Sequence, residues 1–232
     1  MKFLLTSGGI SNKSIHDALV AMLGKPVAES SALFIPTAVH PFPGGAGMAW
    51  RAISGEAPSP LCGLGWKSLG VLELTALPSV QEESWVPALH EADALLVWGG
   101  DVLYLCHWMR QSGLAGLLPS LNAVYVGVSG GSIAITPYNC DAEFNRQFVP
   151  AGSDMAEESD KALGLVDFAL RVHMDREGFE DSSLTSIERW ATGIPALTYA
   201  LDDQSAVTVV DSNVAVVSEG RWKLLTPTPG AS

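Results

Sequence analysis

Five short stretches within the first 128 residues are almost continuously apolar, at residues 2–6, 32–36, 68–74, 94–98 and 123–128. A strand with one wet face alternates apolar and polar residues, whereas one that stays apolar must be covered on both faces. Between and after these runs lie longer segments with helical spacing, at residues 16–23, 84–91, 102–112, from 131 onward, and again at 184–192. That alternation predicts an α/β fold with a mostly parallel central sheet and helices on both faces. Residues 196–201 and 205–210 read as later strands, and residues 213–217 return through Asp211-Ser212-Asn213 as a C-terminal β-hairpin. The 232 residues suit one sizeable domain, predicted to span 1–225, with 226–232 as a loose tail. Pro41 to Gly65, rich in Gly and Pro, reads as a long surface loop, and no internal repeat is present.

Charge narrows the partners. Thirteen Lys and Arg against 25 Asp and Glu leave a net charge of −12. A nucleic-acid reader needs clustered cations to displace counterions, so neither nucleic acid nor an anionic membrane surface is an expected partner. Gln111 to Cys140 is 30 residues without one Asp, Glu, Lys or Arg, yet Pro119, Asn122, Pro137, Asn139 and five glycines interrupt it. A spanning helix needs about 20 mostly apolar residues in a row, so this is not one. The N-terminal apolar stretch is only Phe3-Leu4-Leu5, too short for a signal peptide, and a cytoplasmic location is expected. Cys62, Cys106 and Cys140 form no CxxC pair and have no ligand-spaced histidine beside them, which reads as reduced thiols without a zinc role. Nothing in the sequence fixes the oligomeric state, and a homodimer is compatible with it.

Gly127-Val128-Ser129-Gly130-Gly131 directly follows the last apolar run and satisfies G-x-S-x-G in the strand-turn-helix setting that motif requires. The flanking glycines have a steric reason: the turn is so tight that side chains there would clash, and it drives the serine into a strained, exposed conformation. Taken alone, the same residues could also be no more than a tight turn. A nucleophilic serine needs a base. Of the five histidines, His16, His40, His90 and His107 precede Ser129, and only His173 follows it. His173 ends an apolar run, where a strand end would present it at the same sheet edge as the elbow. An ordinary α/β-hydrolase would then need its acid between Asp141 and Asp167 and would leave a long stretch beyond the triad, which fits poorly. A second glycine turn, Trp98-Gly99-Gly100-Asp101, offers Asp101 as a helix N-cap and Gly100 N–H as an oxyanion donor beside Gly130 N–H.

Four ordered segments together resemble peptidase E, the aspartyl dipeptidases of serine peptidase family S51 and relatives of cyanophycinase. They are Leu4-Leu5-Thr6-Ser7-Gly8-Gly9, Ala-Leu-Phe-Ile-Pro-Thr-Ala at 32–38, Trp-Gly-Gly-Asp-Val-Leu-Tyr-Leu at 98–105, and the serine elbow. The resemblance extends to about Gly220. It implies a flavodoxin-like fold of the class I glutamine amidotransferase type and a serine-histidine-acid mechanism without metal or cofactor. By position, Ser129 matches the nucleophile, His173 the base, and Gly100 with Gly130 the oxyanion hole. Asp203, in Leu201-Asp202-Asp203-Gln204-Ser205-Ala206, matches the acid, with Asp175 and Asp141 as rivals. The elbow has Ser-Gly-Gly where Ser-Ala-Gly is usual, read as sterically mild, and Asp101 stands where asparagine is usual.

The implied substrate is a small peptide with N-terminal aspartate, and a chain at −12 needs a specific cation to hold that carboxylate. Arg176 and Arg189 are the candidates. Two competing readings remain: a catalytically silent amidotransferase-like binding domain, and a serine hydrolase of other acyl substrates such as β-aspartyl, cyanophycin-type peptides.

Overall fold

A computed structural model gives the fold, and the residues described are 1–139, 148–150 and 161–227. The five apolar runs form β1 (Lys2–Thr6), β2 (Ser31–Ile35), β3 (Ser68–Val71), β4 (Ala94–Val97) and β5 (Val124–Val128). They join β8 (Ser205–Val210) and β9 (Asn213–Ser218) in a seven-stranded sheet of order β3-β2-β4-β5-β1-β8-β9. Pairing is parallel from β3 through β1 and antiparallel at β1–β8 and β8–β9. The expected C-terminal hairpin is thus β8–β9. Its two turn residues, Asp211 at φ 49° and Ser212 at φ 67°, have the positive φ pair of a type I′ turn, whose twist matches the strands it joins.

Alternate residues of each strand serve two cores. Phe3, Leu5, Ile35, Leu95, Val97 and Tyr125 pack on one face with α4 (Val102–Gln111) and α5 (Leu114–Leu117). Leu4, Phe34, Leu96, Val124 and Val126 pack on the other against α1 (Lys13–Leu23). The sheet is therefore apolar on both sides, which is why its strands read as continuous runs. The uncharged stretch runs through α5, which buries Leu114, and then through β5 and the short α6 (Gly130–Ile133), both buried throughout. Among the described residues no helix is long and apolar enough to cross a membrane.

Three expectations change. The stretch Pro41 to Gly65 is not loop throughout: it holds α2 (Gly45–Ile53), stabilised by burying Ala52 and packing Ile53 into the α1-side core, although glycines open the helix. The run before His173 does not end at the edge of the central sheet. It is β6 (Ala169–Arg171) of a separate three-stranded sheet, with β7 (Thr198–Leu201) in the middle and β10 (Trp222–Leu225) beyond. The strand β10, which the sequence reading does not assign, pairs antiparallel with β7. A short helix, α3 (Val86–Glu91), occupies only the latter part of the 84–91 segment, and α7 (Leu184–Ala191) covers the small sheet through Ile187.

Two consequences of this topology build a site. The parallel strands β1, β4 and β5 end at one edge of the central sheet, releasing Ser7, Gly99 and Ser129 together, the position where open α/β sheets bind ligands. Residues 202–204 then step from β7 of the small sheet to β8 of the large one, setting Asp203 between the two sheets.

Candidate active site

Ser129 stands immediately after β5 at φ 52°, ψ −119°, a backbone conformation costly for a residue with a side chain. Steric exclusion enforces it. A Cβ on Gly127 would stand 2.8 Å from Ser132 Cα, and one on Gly131 only 2.2 Å from Val97 O. Thr6 locks the turn from the neighbouring strand: its carbonyl accepts Ser129 N–H at 3.1 Å and the Ser132 hydroxyl at 2.7 Å, while its own hydroxyl donates to Gly127 O at 2.7 Å. Gly130 departs from expectation. A Cβ there would stand 2.5 Å from Gly100 O, so the usual alanine is not a mild change in this chain. It would fit only if the Gly99-Gly100 turn moved.

That turn brings Gly100, at φ 137°, against Gly130. Among the described residues, neither the Gly100 nor the Gly130 N–H finds a hydrogen-bond acceptor. Asp101 is the expected N-cap: its Oδ1 accepts Tyr104 N–H at 2.7 Å and its own N–H donates to Ala38 O at 2.8 Å. A carboxylate oxygen is thereby spent on the start of α4, where the helix dipole favours negative charge.

His173 reaches Ser129 from the small sheet. Its Nε2 lies 2.8 Å from Ser129 Oγ, and its Nδ1 lies 2.6 Å from Asp203 Oδ1. Burial pushes the Asp203 carboxyl up, but the hydrogen bond and charge of His173, the Ser7 hydroxyl and the Arg176 guanidinium outweigh it and hold its pKa below the ordinary value. An ionised carboxylate only accepts, so Nδ1 carries the proton and the Nε2 lone pair faces the serine hydroxyl. His173 itself adopts φ 57°, held by Met174 N–H on Leu201 O at 2.8 Å and by its own N–H on Ser7 Oγ at 2.8 Å. The Phe179 ring packs beside the imidazole at 5.1 Å.

The other expected residues divide. Arg176 enters the site, with Nη1 3.2 Å from Asp203 Oδ2 and its guanidinium 4.9 Å over Phe179. Arg189 lies exposed on α7 and pairs with no described carboxylate. Asp175 turns away from the imidazole: its carboxylate accepts Leu184 N–H at 2.9 Å and meets Arg221 at 3.2 Å. Asp141 and Cys140 lie outside the described residues. Burial pushes the Cys62 and Cys106 thiols up to about 12, so neither offers a thiolate near neutral pH. Among the described residues no three His, Cys, Asp or Glu side chains come together as metal ligands.

Ser7 is the residue that sequence reasoning missed. Its hydroxyl donates to Asp203 Oδ1 at 2.8 Å while accepting His173 N–H. The segment Thr6-Ser7-Gly8-Gly9 carried a resemblance but no assigned role, because its partners lie 166 and 196 positions away.

Comparison with known proteins gives the family. Residues 3–217 match the model of peptidase family S51. The chain belongs to peptidase family S51. Two solved structures share its fold at low identity. A candidate peptidase E of Listeria monocytogenes EGD-e is 17% identical with a TM-score of 0.64, the match covering 94% of this chain and 98% of that one. A peptidase from an acI-B1 Actinobacterium is 15% identical with a TM-score of 0.69, covering 98% and 91%. No curated protein matches the chain. Membership of family S51 makes the chain a peptidase, and the residues that converge at the strand ends come from the matched span.

Proposed function

We propose that this S51 peptidase is a serine-type enzyme that hydrolyses short peptides, dipeptides with N-terminal aspartate foremost, through an acyl-enzyme. One observation carries the reading: a serine in a strained elbow lies 2.8 Å from an imidazole whose other nitrogen lies 2.6 Å from a carboxylate. Ser129 Oγ attacks the scissile carbonyl while His173 Nε2 takes its proton and then returns it to the leaving amine. Asp203 keeps the imidazole in the Nδ1–H form and stabilises the imidazolium. The N–H groups of Gly100 and Gly130 receive the tetrahedral oxyanion. Water, activated by the same histidine, releases the acyl group as the free acid.

Arg176 is the cation this site offers to an acidic substrate side chain, being 39% exposed beside Asp203. Because it also neutralises Asp203, preference for Asp-X over neutral dipeptides is expected to be a matter of KM. The silent-domain reading drew on Asp101 near the oxyanion glycines and on the lack of an assigned specificity arginine; the N-cap bond of Asp101 and the position of Arg176 beside Asp203 support the hydrolase reading over it.

A panel of Asp-X, Glu-X, neutral and β-aspartyl dipeptides, with Ser129→Ala as control, tests the proposal. Asp-X turnover that falls by roughly 10⁴-fold or more in the folded alanine variant is the expected result. Wild-type turnover by Ser129→Ala overturns the mechanism, and ester turnover without any Asp-X turnover overturns the substrate.

A further inference from the structure

We propose that Ser7 is a positioning residue of this centre: its hydroxyl sets how the Asp203 carboxylate meets the His173 imidazole and, through adjacent Thr6, fixes both relative to the serine elbow. The inference rests on the Ser129-His173-Asp203 reading and concerns a residue outside that triad.

Ser7 is completely buried at the end of β1, with a relative exposure of 0%. Its Oγ makes two bonds of fixed direction. A backbone N–H can only donate and an ionised carboxylate can only accept, so His173 N–H donates to Oγ and the hydroxyl donates to Asp203 Oδ1, each at 2.8 Å. A hydroxyl is among the few side-chain groups that can do both at one atom. The same Oδ1 lies 2.6 Å from His173 Nδ1, so Ser7, the histidine backbone, the carboxylate and the imidazole close a ring of hydrogen bonds. The ring also holds His173 at φ 57°, a conformation a histidine leaves readily unless its neighbours oppose it.

The adjoining residues show the same purpose. Thr6 O takes the N–H of Ser129, so the last residue of β1 and the residue after it, Ser7, grip the nucleophile and the base with its acid. A Cβ on Gly8 would stand 2.7 Å from Asp203 O and 2.9 Å from Asp203 Cβ, and Ser11 Oγ donates to Asp203 O at 2.7 Å. The loop thus lies directly against the acid it positions. A one-residue spacing converts the register of β1 into the separation between Ser129 Oγ and the imidazole.

The test compares Ser7→Ala and the nearly isosteric, weakly donating Ser7→Cys, each alone and combined with Asp203→Ala. Three quantities are read: the rate at which a fluorophosphonate phosphonylates Ser129 with loss of fluoride, the thermal melting curve, and the far-downfield proton resonance of His173 Nδ1–H. Either single variant is expected to slow phosphonylation about 10- to 100-fold while remaining folded. The same change made on Asp203→Ala should slow it less than about 3-fold, because the group being positioned is gone. Equal slowing in both backgrounds, or phosphonylation at the wild-type rate in a folded Ser7 variant, overturns the proposal in favour of a merely structural hydrogen bond. The resonance is expected in the unmutated protein, absent in Asp203→Ala and moved upfield in both Ser7 variants; an unmoved resonance overturns the proposal whether or not the protein cleaves peptides. Failure of the unmutated protein to label at Ser129 overturns the nucleophile assignment instead, so the two failures are distinguishable.

Discussion

The half of the site around Ser129, the proposed nucleophile, and the half around His173 and Asp203, the proposed base and acid, are built by different physics. Around Ser129 the shape comes from exclusion: Gly127, Gly130 and Gly131 each lie where a Cβ would meet another atom at 2.8 Å or less. Around His173 and Asp203 the shape comes from polar contacts, with Ser7, Ser11 and Arg176 all reaching the aspartate. The first half tolerates no added atom, and the second tolerates no lost hydrogen bond. The difference teaches where each half is vulnerable. Damage to the elbow should reach the fold, whereas damage to the polar ring should reach chemistry first and stability to a smaller extent that fades at low pH.

The sharpest way to break this contrast lies on the polar side. Asp203→Asn keeps the side-chain shape but lets the amide favour the wrong imidazole tautomer, and turnover is expected to fall by roughly 10⁴-fold. Circular dichroism near pH 7 should match that of the unmutated protein and the variant should still melt cooperatively, its melting temperature lowered only by the lost contribution of the ionised carboxylate; a collapse of structure there would erase the distinction. On the exclusion side, Gly131→Ala drives a Cβ to 2.2 Å from Val97 O and is expected to cost about 3 kcal/mol or more in stability. Denaturant unfolding checks this, and an undisturbed midpoint would show that the elbow gives way easily.

A subtler expectation follows from the Asp203 carboxyl, held below its ordinary pKa by His173, Ser7 and Arg176 against the opposing effect of burial. A depressed carboxyl contributes stability that is complete above its unfolded value and lost as pH falls through its folded value. The melting-temperature gap between the unmutated protein and Asp203→Asn should therefore narrow on acidification from about pH 6 to about pH 3. A constant gap would mean that ionised Asp203 is not what holds the ring. Smallest of all, Asp101→Ala removes the cap of α4 and should cost about 1 kcal/mol, while Asp101→Asn should change stability by only a few tenths. A large loss of turnover in Asp101→Asn would show that this carboxylate does more than cap.

The same division decides what the sequence can reveal. Exclusion is local: Gly127, Ser129 and Gly131 sit within five residues, so the elbow and the strand before it can be read directly. The parallel sheet is equally open to reading, because burial on both faces writes continuous apolar runs. His173 emerges from order along the chain, but its strand belongs to the small sheet, a distinction its apolar run cannot express. Asp203 follows from resemblance alone, since Asp175 is far nearer to the histidine in sequence and only the fold turns it toward Leu184 and Arg221. Ser7 leaves no local trace of its role, its bonds spanning nearly the whole chain. The helix α2 is hidden for a related reason, as tertiary packing rather than propensity sustains a segment that opens with glycines.

The central claim, that Ser129 is a nucleophile made reactive by His173 from the second sheet, is tested most directly by treating the folded protein with a fluorophosphonate and mapping the adduct by mass spectrometry. Stoichiometric labelling at Ser129, strongly slowed in folded His173→Ala, is the result the geometry requires. Labelling at another residue, no labelling of folded protein, or undiminished labelling of the histidine variant would contradict it.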